Sequence, residues 1–292
     1  MKHEIKNDKL RIAVGETGAE LCNIQSVATG KEFMWSGDPA IWGSTSPVLF
    51  PVIGAVKNGF VKYKGNEYDV PRHGFVRNNS EVKLISRTAE SLTFGLKHDE
   101  ELLKVYPFLF SFQITYTLKR SKIEVSHRIS NEGADTMLFS LGAHPAFKCP
   151  INSEESYEDY FLEFEHSEIA STWLLSNDGL VGSETKLILD QTAELPLTHS
   201  LFDNDALIFK NLKSRKVSLK SRKSTDSVIV QYDDFNYLGI WAKPNGDFVC
   251  IEPWLGIADS ADSDQQFETK EGILSLSAGE TFEASYSITI IG

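Results

Sequence analysis

Phe110-Ser111-Phe112-Gln113-Ile114-Thr115-Tyr116-Thr117-Leu118 carries a strict two-residue alternation. Every second residue is apolar, and those between are small or polar. Side chains of a strand alternate between two faces, so this spacing predicts a strand with one face in a core. Ile123-Glu124-Val125-Ser126-His127-Arg128-Ile129 repeats the pattern, and Lys119-Arg120-Ser121 between them predicts a tight hairpin connection.

Shorter strand signals appear at 10–14, 19–24, 81–85, 91–96, 217–219, 227–232, 248–251 and 282–290. Turn residues punctuate them: Lys64-Gly65-Asn66, Asn131-Glu132-Gly133 and Pro244-Asn245-Gly246-Asp247. Helical signals are few. The best is Asp99 to Tyr106, acidic at its start and stopped by Pro107. Many short strands with few helices indicate a sandwich or a barrel. No linker or repeat stands out. The polar stretch Asp259 to Gln266 reads as a surface loop, so one all-β domain over residues 1–292 is expected.

Composition narrows the function. The 29 Lys and Arg against 41 Asp and Glu leave a net charge of −12. That surface repels phosphate backbones and anionic lipid, so neither nucleic acid nor a membrane is expected as a partner. The start, Met1 to Asp8, carries charges and no apolar leader segment, and no uninterrupted apolar run is long enough for a membrane helix. Cys22, Cys149 and Cys250 are odd in number and far apart, so neither a zinc site nor a disulfide framework is indicated. Reduced thiols and a cytoplasmic location follow as expectations.

Several chemical motifs fail. Gly54 to Gly59 has the glycine spacing of a phosphate loop, but Phe60 stands where lysine is needed. Asp262-Ser263-Asp264 opens like a calcium loop, but Phe267 replaces its glycine and Ile273 its glutamate. There is no HxH, no HExxH and no G-x-S-x-G.

Three segments could carry chemistry. In Pro71-Arg72-His73-Gly74-Phe75-Val76-Arg77 a histidine sits between two cations in a shaped loop, although an exposed loop histidine is the plainer reading. In Gly142-Ala143-His144-Pro145 the proline fixes extended backbone at His144, and small neighbours leave room beside the ring. A buried histidine satisfied by backbone is the competing reading. In Cys250-Ile251-Glu252-Pro253-Trp254, Glu252 ends the apolar strand 248–251, where a carboxylate is costly unless paired or used. A buried salt bridge competes with a functional role. Trp254 offers an apolar face of the kind that stacks on sugar rings. Two histidines and a carboxylate form an acid–base set that works near neutral pH.

Taken in order along the chain, these segments resemble the aldose 1-epimerase (galactose mutarotase-like) superfamily, especially its LacX-like branch. The resemblance runs through Gly18-Ala19-Glu20-Leu21, Lys31 to Trp35, Asp38 to Trp42, Leu49-Phe50-Pro51-Val52-Ile53-Gly54 and Arg72-His73-Gly74-Phe75. It continues through Tyr106-Pro107-Phe108, Gly142 to Pro145, Leu201 to Leu207 and Ile251 to Trp254. It implies a large antiparallel β-sandwich with an open sugar cleft. It implies His144 as the acid at the ring oxygen, Glu252 as the base at the anomeric hydroxyl, and His73 as a second histidine near the ring oxygen. Asp205 is similar to the aspartate that binds sugar hydroxyls.

One position departs from the family. Relatives carry an arginine straight after the glycine of Phe-Pro-x-x-Gly; here that residue is Ala55. Lys57 or Arg77 would supply the missing cation. The expected activity is interconversion of the α and β anomers of an aldohexose, with no cofactor and no metal, by a monomer or homodimer. The alternative is a non-catalytic sugar-binding or sensor protein on the same scaffold. A glycoside hydrolase needs two flanking carboxylates, and Glu252 lacks an obvious second. A phosphorylated hexose is also admitted, because arginine forks bind phosphate. The plainer reading of Arg72 and Arg77 is solvated loop charges or partners for some of the 41 acids.

Overall fold

A computed structural model describes all residues, 1–292. The hairpin expected from the alternating pattern is present. Phe110–Lys119 and Lys122–Asn131 pair antiparallel, from Lys119 opposite Lys122 to Phe110 opposite Asn131. The connection is the two-residue turn Arg120-Ser121, with Arg120 in the left-handed region at φ 57°. Phe112, Ile114, Tyr116 and Leu118 are buried, and the residues between them are half-buried.

This hairpin lies within a nine-stranded sheet. From one edge the order is Val181–Pro196, Tyr160–Leu175, Lys216–Ser221, Ser227–Gln231, Thr281–Ile291, Lys122–Asn131, Phe110–Lys119, Ser91–Lys97 and Lys83–Arg87. A second sheet runs Leu207–Phe209, Tyr237–Trp241, Phe248–Leu255, Leu141–Ala143 and Val48–Leu49, with Ala146–Lys148 also pairing the central strand. The ladders of both sheets are antiparallel.

The apolar faces of the two sheets meet. Phe50, next to the short edge strand of the second sheet, packs at 5.5 Å from Phe110 and 5.2 Å from Phe112. Phe164 of the first sheet meets Phe209 of the second at 6.3 Å. These rings belong to a core of 73 buried apolar residues. Burying each large side chain stabilises the fold by roughly 1.5–3 kcal/mol. The result is the large antiparallel β-sandwich that the resemblance implied.

Three local expectations are corrected. The helix at Asp99 to Tyr106 is a single turn, Leu102–Val105, started by the Asp99 carboxylate accepting the Leu102 N–H at 2.8 Å. Glu252 does not end its strand: Phe248–Leu255 continues through it and Pro253, buried at every position. The stretch Asp259 to Gln266 is partly interior, since Asp259 and Gln265 are buried. No helix is long and apolar enough to cross a membrane.

Candidate active site

The strand Phe248–Leu255 organises the site. On one side Leu141–Ala143 pairs with Gly142 opposite Trp254. Ala146–Lys148 pairs with Ala146 opposite Cys250. The two ladders share one register, so the interruption at His144-Pro145 falls opposite Glu252. Pro145 also accepts the Ile251 N–H at 3.2 Å. A histidine and a glutamate far apart in the chain thereby become cross-strand neighbours, with His144 Nε2 at 3.2 Å from Glu252 Oε2.

This contact lies off the line of a hydrogen bond. Glu252 Oε2 and His144 Nδ1 are both buried without a hydrogen-bond partner. Neither the satisfied core histidine nor the buried salt bridge describes them. Burial lowers His144 to about 3, with Arg77 and Arg72 adding to the effect. Burial also pushes the Glu252 carboxyl well above its usual range; Asp205 adds to this, while the nearby Trp254 N–H and both arginines oppose it. A low-dielectric site disfavours both charged forms, so the pair titrates as a unit that holds one proton between two atoms.

His73 comes from the loop after a short hairpin, Phe60–Tyr63 with Asn66–Asp69. Its backbone is left-handed at φ 66°, followed by Gly74 at φ 74°. A side chain at Gly74 would collide with the Phe50 carbonyl, so this close crossing requires glycine. The His73 N–H donates to Gly54 O at 2.8 Å, and the Gly54 N–H donates to His73 Nδ1 at 3.1 Å. That reciprocal pairing leaves the ring proton on Nε2. Burial, with His144 and the two arginines beside it, holds His73 well below its usual range, so it stays neutral. The His73 and His144 rings meet edge to face at 5.7 Å.

These groups open onto a cavity of about 240 Å³. His73, His144, Glu252, Trp254, Asp205 and Arg77 all line it. Asp205 is exposed, left-handed at φ 74°, and accepts the Ala206 N–H at 2.8 Å. Lys57 does not line the cavity: its ammonium donates to Ser263 O at 2.8 Å and its N–H to Asp259 at 2.9 Å. Of the two candidates to replace the arginine missing at Ala55, the structure brings only Arg77 to the cavity.

The cavity also holds aromatic residues that the sequence motifs do not single out. Trp42 stacks on His144 with ring centroids 5.1 Å apart, and Trp241 meets His144 edge to face at 5.8 Å. Their signal is their residue type: the chain has five tryptophans, and any of them offers the sugar-stacking face assigned to Trp254. Cys250 lies two residues before Glu252 on the same strand face, and its donor atom is within 4.8 Å of those of His144 and Glu252. These three are the residues that could hold a soft cation, but proton transfer between His144 and Glu252 calls for none.

Fold and site together define a carbohydrate-active β-sandwich with a histidine–carboxylate pair. Residues 1–272 match the family model described as aldose 1-epimerase, so the chain belongs to the aldose 1-epimerase family and is an isomerase of the mutarotase kind. It is 35% identical over 300 residues to the plasmid-encoded protein LacX of Lactococcus lactis subsp. lactis, covering 100% of both chains. The structure is similar to a galactose mutarotase related enzyme from Lactobacillus acidophilus, with TM-score 0.95, 36% identity, and 100% and 98% of the two chains covered. It is also similar to a galactose mutarotase-like protein from Lactobacillus casei, with TM-score 0.93, 28% identity and both chains fully covered.

Proposed function

We propose that the chain interconverts the α and β anomers of an aldohexose, with His144 and Glu252 as the proton-transfer pair. The observation that carries this reading is their 3.2 Å contact inside a cavity the size of a monosaccharide. Anomerisation needs one proton removed from the anomeric hydroxyl and one delivered to the ring oxygen. Both oxygens are bonded to the same carbon, so two groups in mutual contact can reach both. The pair enters the step with its one shared proton on His144, so that Glu252 is a carboxylate. Glu252 then takes the hydroxyl proton, the anomeric carbon becomes an aldehyde, and its bond to the ring oxygen breaks. His144 protonates that oxygen. After rotation about the bond next to the aldehyde, the steps reverse on the other face and the pair returns to its starting state.

His73 supports this scheme as a neutral Nε2–H donor near the ring oxygen, held in place by the Gly54 peptide. Trp42, Trp241 and Trp254 provide apolar faces for the C–H faces of a pyranose. Asp205, which lines the cavity, accepts from sugar hydroxyls in this scheme. Arg77 supplies the cation that Ala55 cannot.

The test is anomer exchange followed by NMR or polarimetry on freshly dissolved α-D-glucose and α-D-galactose. Removing a proton-transfer group costs about 10²–10⁴-fold. Glu252→Gln and His144→Ala are each expected to lose at least a hundredfold in kcat. Unchanged acceleration in both variants would sink the assignment. Saturable sugar binding with no acceleration in the unmodified protein would leave a binding or sensor role.

A further inference from the structure

We infer that the sugar carries an anionic group away from its anomeric centre, received by Arg72 and Arg77. This rests on the anomerase reading above and adds the substrate class to it. The starting observation is a pair of cations without partners. Elsewhere the guanidinium groups are used: Arg11 bonds Gln25, Arg87 a backbone carbonyl, Arg128 Glu283, Arg215 two backbone carbonyls, and Arg222 Glu194. Arg120 stands exposed on a hairpin turn. Arg72 and Arg77 both line the cavity, and neither makes an ion pair or a hydrogen bond. Nε of Arg77 is buried with nothing to donate to. In a chain with twelve more acids than bases, an unpaired guanidinium partly shut off from water, as that of Arg77 is, is costly; Arg72 stands exposed at the mouth of the same cavity. An anion with several acceptor oxygens removes that cost, and a guanidinium presents its donors in the geometry such groups accept.

Arg72 lies against the rim of the cavity. The long hairpin Tyr160–Leu175 with Val181–Pro196 turns at Ser176 to Leu180, and Gly179 there has φ 76°. A Cβ on Gly179 would stand 2.6 Å from an Arg72 guanidinium nitrogen, so the guanidinium lies directly over the glycine. The Val181 N–H donates to Asp259 O at 2.8 Å, which ties the hairpin to the loop that follows the central strand Phe248–Leu255. The cavity's acids do not pair with the cations. Asp205 accepts the Ala206 N–H and makes no ion pair with either arginine, and Glu252 is pushed toward its neutral form by burial. A phosphate ester and a sugar carboxylate share the recognised chemistry.

The experiment compares anomer exchange for glucose, glucose 6-phosphate and glucuronate, with the unmodified protein and with Arg72→Ala and Arg77→Gln. The expected result is a kcat/KM at least tenfold higher for an anionic sugar than for glucose. Both variants should lower that ratio toward one, and added salt should lower it as well. Advantage for glucose 6-phosphate alone assigns a phosphate, and for glucuronate as well a general anion site. Glucose exchanged as fast as both, in a Glu252-dependent manner, overturns the anionic substrate and leaves the anomerase reading intact. If no sugar is exchanged, NMR titration with inorganic phosphate decides. Saturable shifts lost in the arginine variants keep the anion site; shifts that are absent, or that survive those variants, overturn it.

Discussion

Glu168 and Glu252 are equally buried, at 2% and 1% exposure, yet their surroundings are opposite. Glu168, on the strand Tyr160–Leu175 of the nine-stranded sheet, accepts the Ser214 N–H and the Ser214 hydroxyl, both at 2.7 Å, and the Lys213 N–H at 3.3 Å. Glu252, on the central strand of the second sheet, leaves an oxygen without a partner beside a histidine in the same condition. The first carboxylate organises the turn before Lys216–Ser221. The second is held ready for a ligand. Buried histidines show that an orphan atom alone is not enough. His127 has no partner for either ring nitrogen, yet it sits among Phe112, Phe235 and Tyr286 and makes no ion pair. His144 is distinguished by its contact with Glu252 and by the cavity in front of both.

The comparison breaks most readily at Glu168. Glu168→Ala leaves the buried Ser214 N–H and hydroxyl unsatisfied, and hydrogen bonds to a charged group contribute about 1.5–3 kcal/mol each. A loss of at least ~3 kcal/mol in unfolding free energy is expected from urea titration, with anomer exchange retained by the folded fraction. A smaller loss would mean that the two carboxylates differ less than their geometry says.

His127 gives the next effect, through pH. Burial lowers it from 6.5 to about 4. The unfolded chain therefore binds a proton below pH 6.5 that the folded chain refuses, and stability falls as pH drops from 6.5 to 4. At about 1.36 kcal/mol per pKa unit, the loss is about 3 kcal/mol. His127→Phe keeps the ring among its aromatic neighbours and should flatten the acid limb by about that amount between roughly pH 7 and pH 4. Parallel limbs in the two proteins would show that His127 does not titrate on unfolding.

The sequence carries much of this contrast, but unevenly. The hairpin 110–131 is legible because its faces alternate strictly. His73, His144 and Glu252 are picked out by the ordered family resemblance along the chain, since the local motif of each alone leaves a structural reading open. The longest strands, Tyr160–Leu175 and Val181–Pro196, are not. Register shifts between them break the period of two, and much of the second is exposed. The neighbourhood of His144 and Glu252 depends on long-range register, and Lys57 and Arg77 are told apart only by where their loops pack. Trp241 reaches the site because Tyr237–Trp241 pairs with the central strand, placing Trp241 opposite Cys250.

The smallest expected effect has the opposite sign and separates the two carboxylates most sharply. Glu252 is pushed above its usual 4.5 by burial, so the folded chain holds a proton that the unfolded chain releases above that pH. Stability is therefore lost as pH rises from about 4.5 toward the folded value, by up to about 1.4 kcal/mol per pH unit. Glu252→Gln removes the titration and keeps the shape. It should raise the unfolding free energy by at least ~1 kcal/mol at about pH 8 and leave it unchanged at about pH 4, while abolishing anomer exchange. A gain at both pH values would point to repacking rather than to the proton. A loss at the higher pH would mean that Glu252 is stabilised as an anion in the folded chain, and the distinction from Glu168 would collapse.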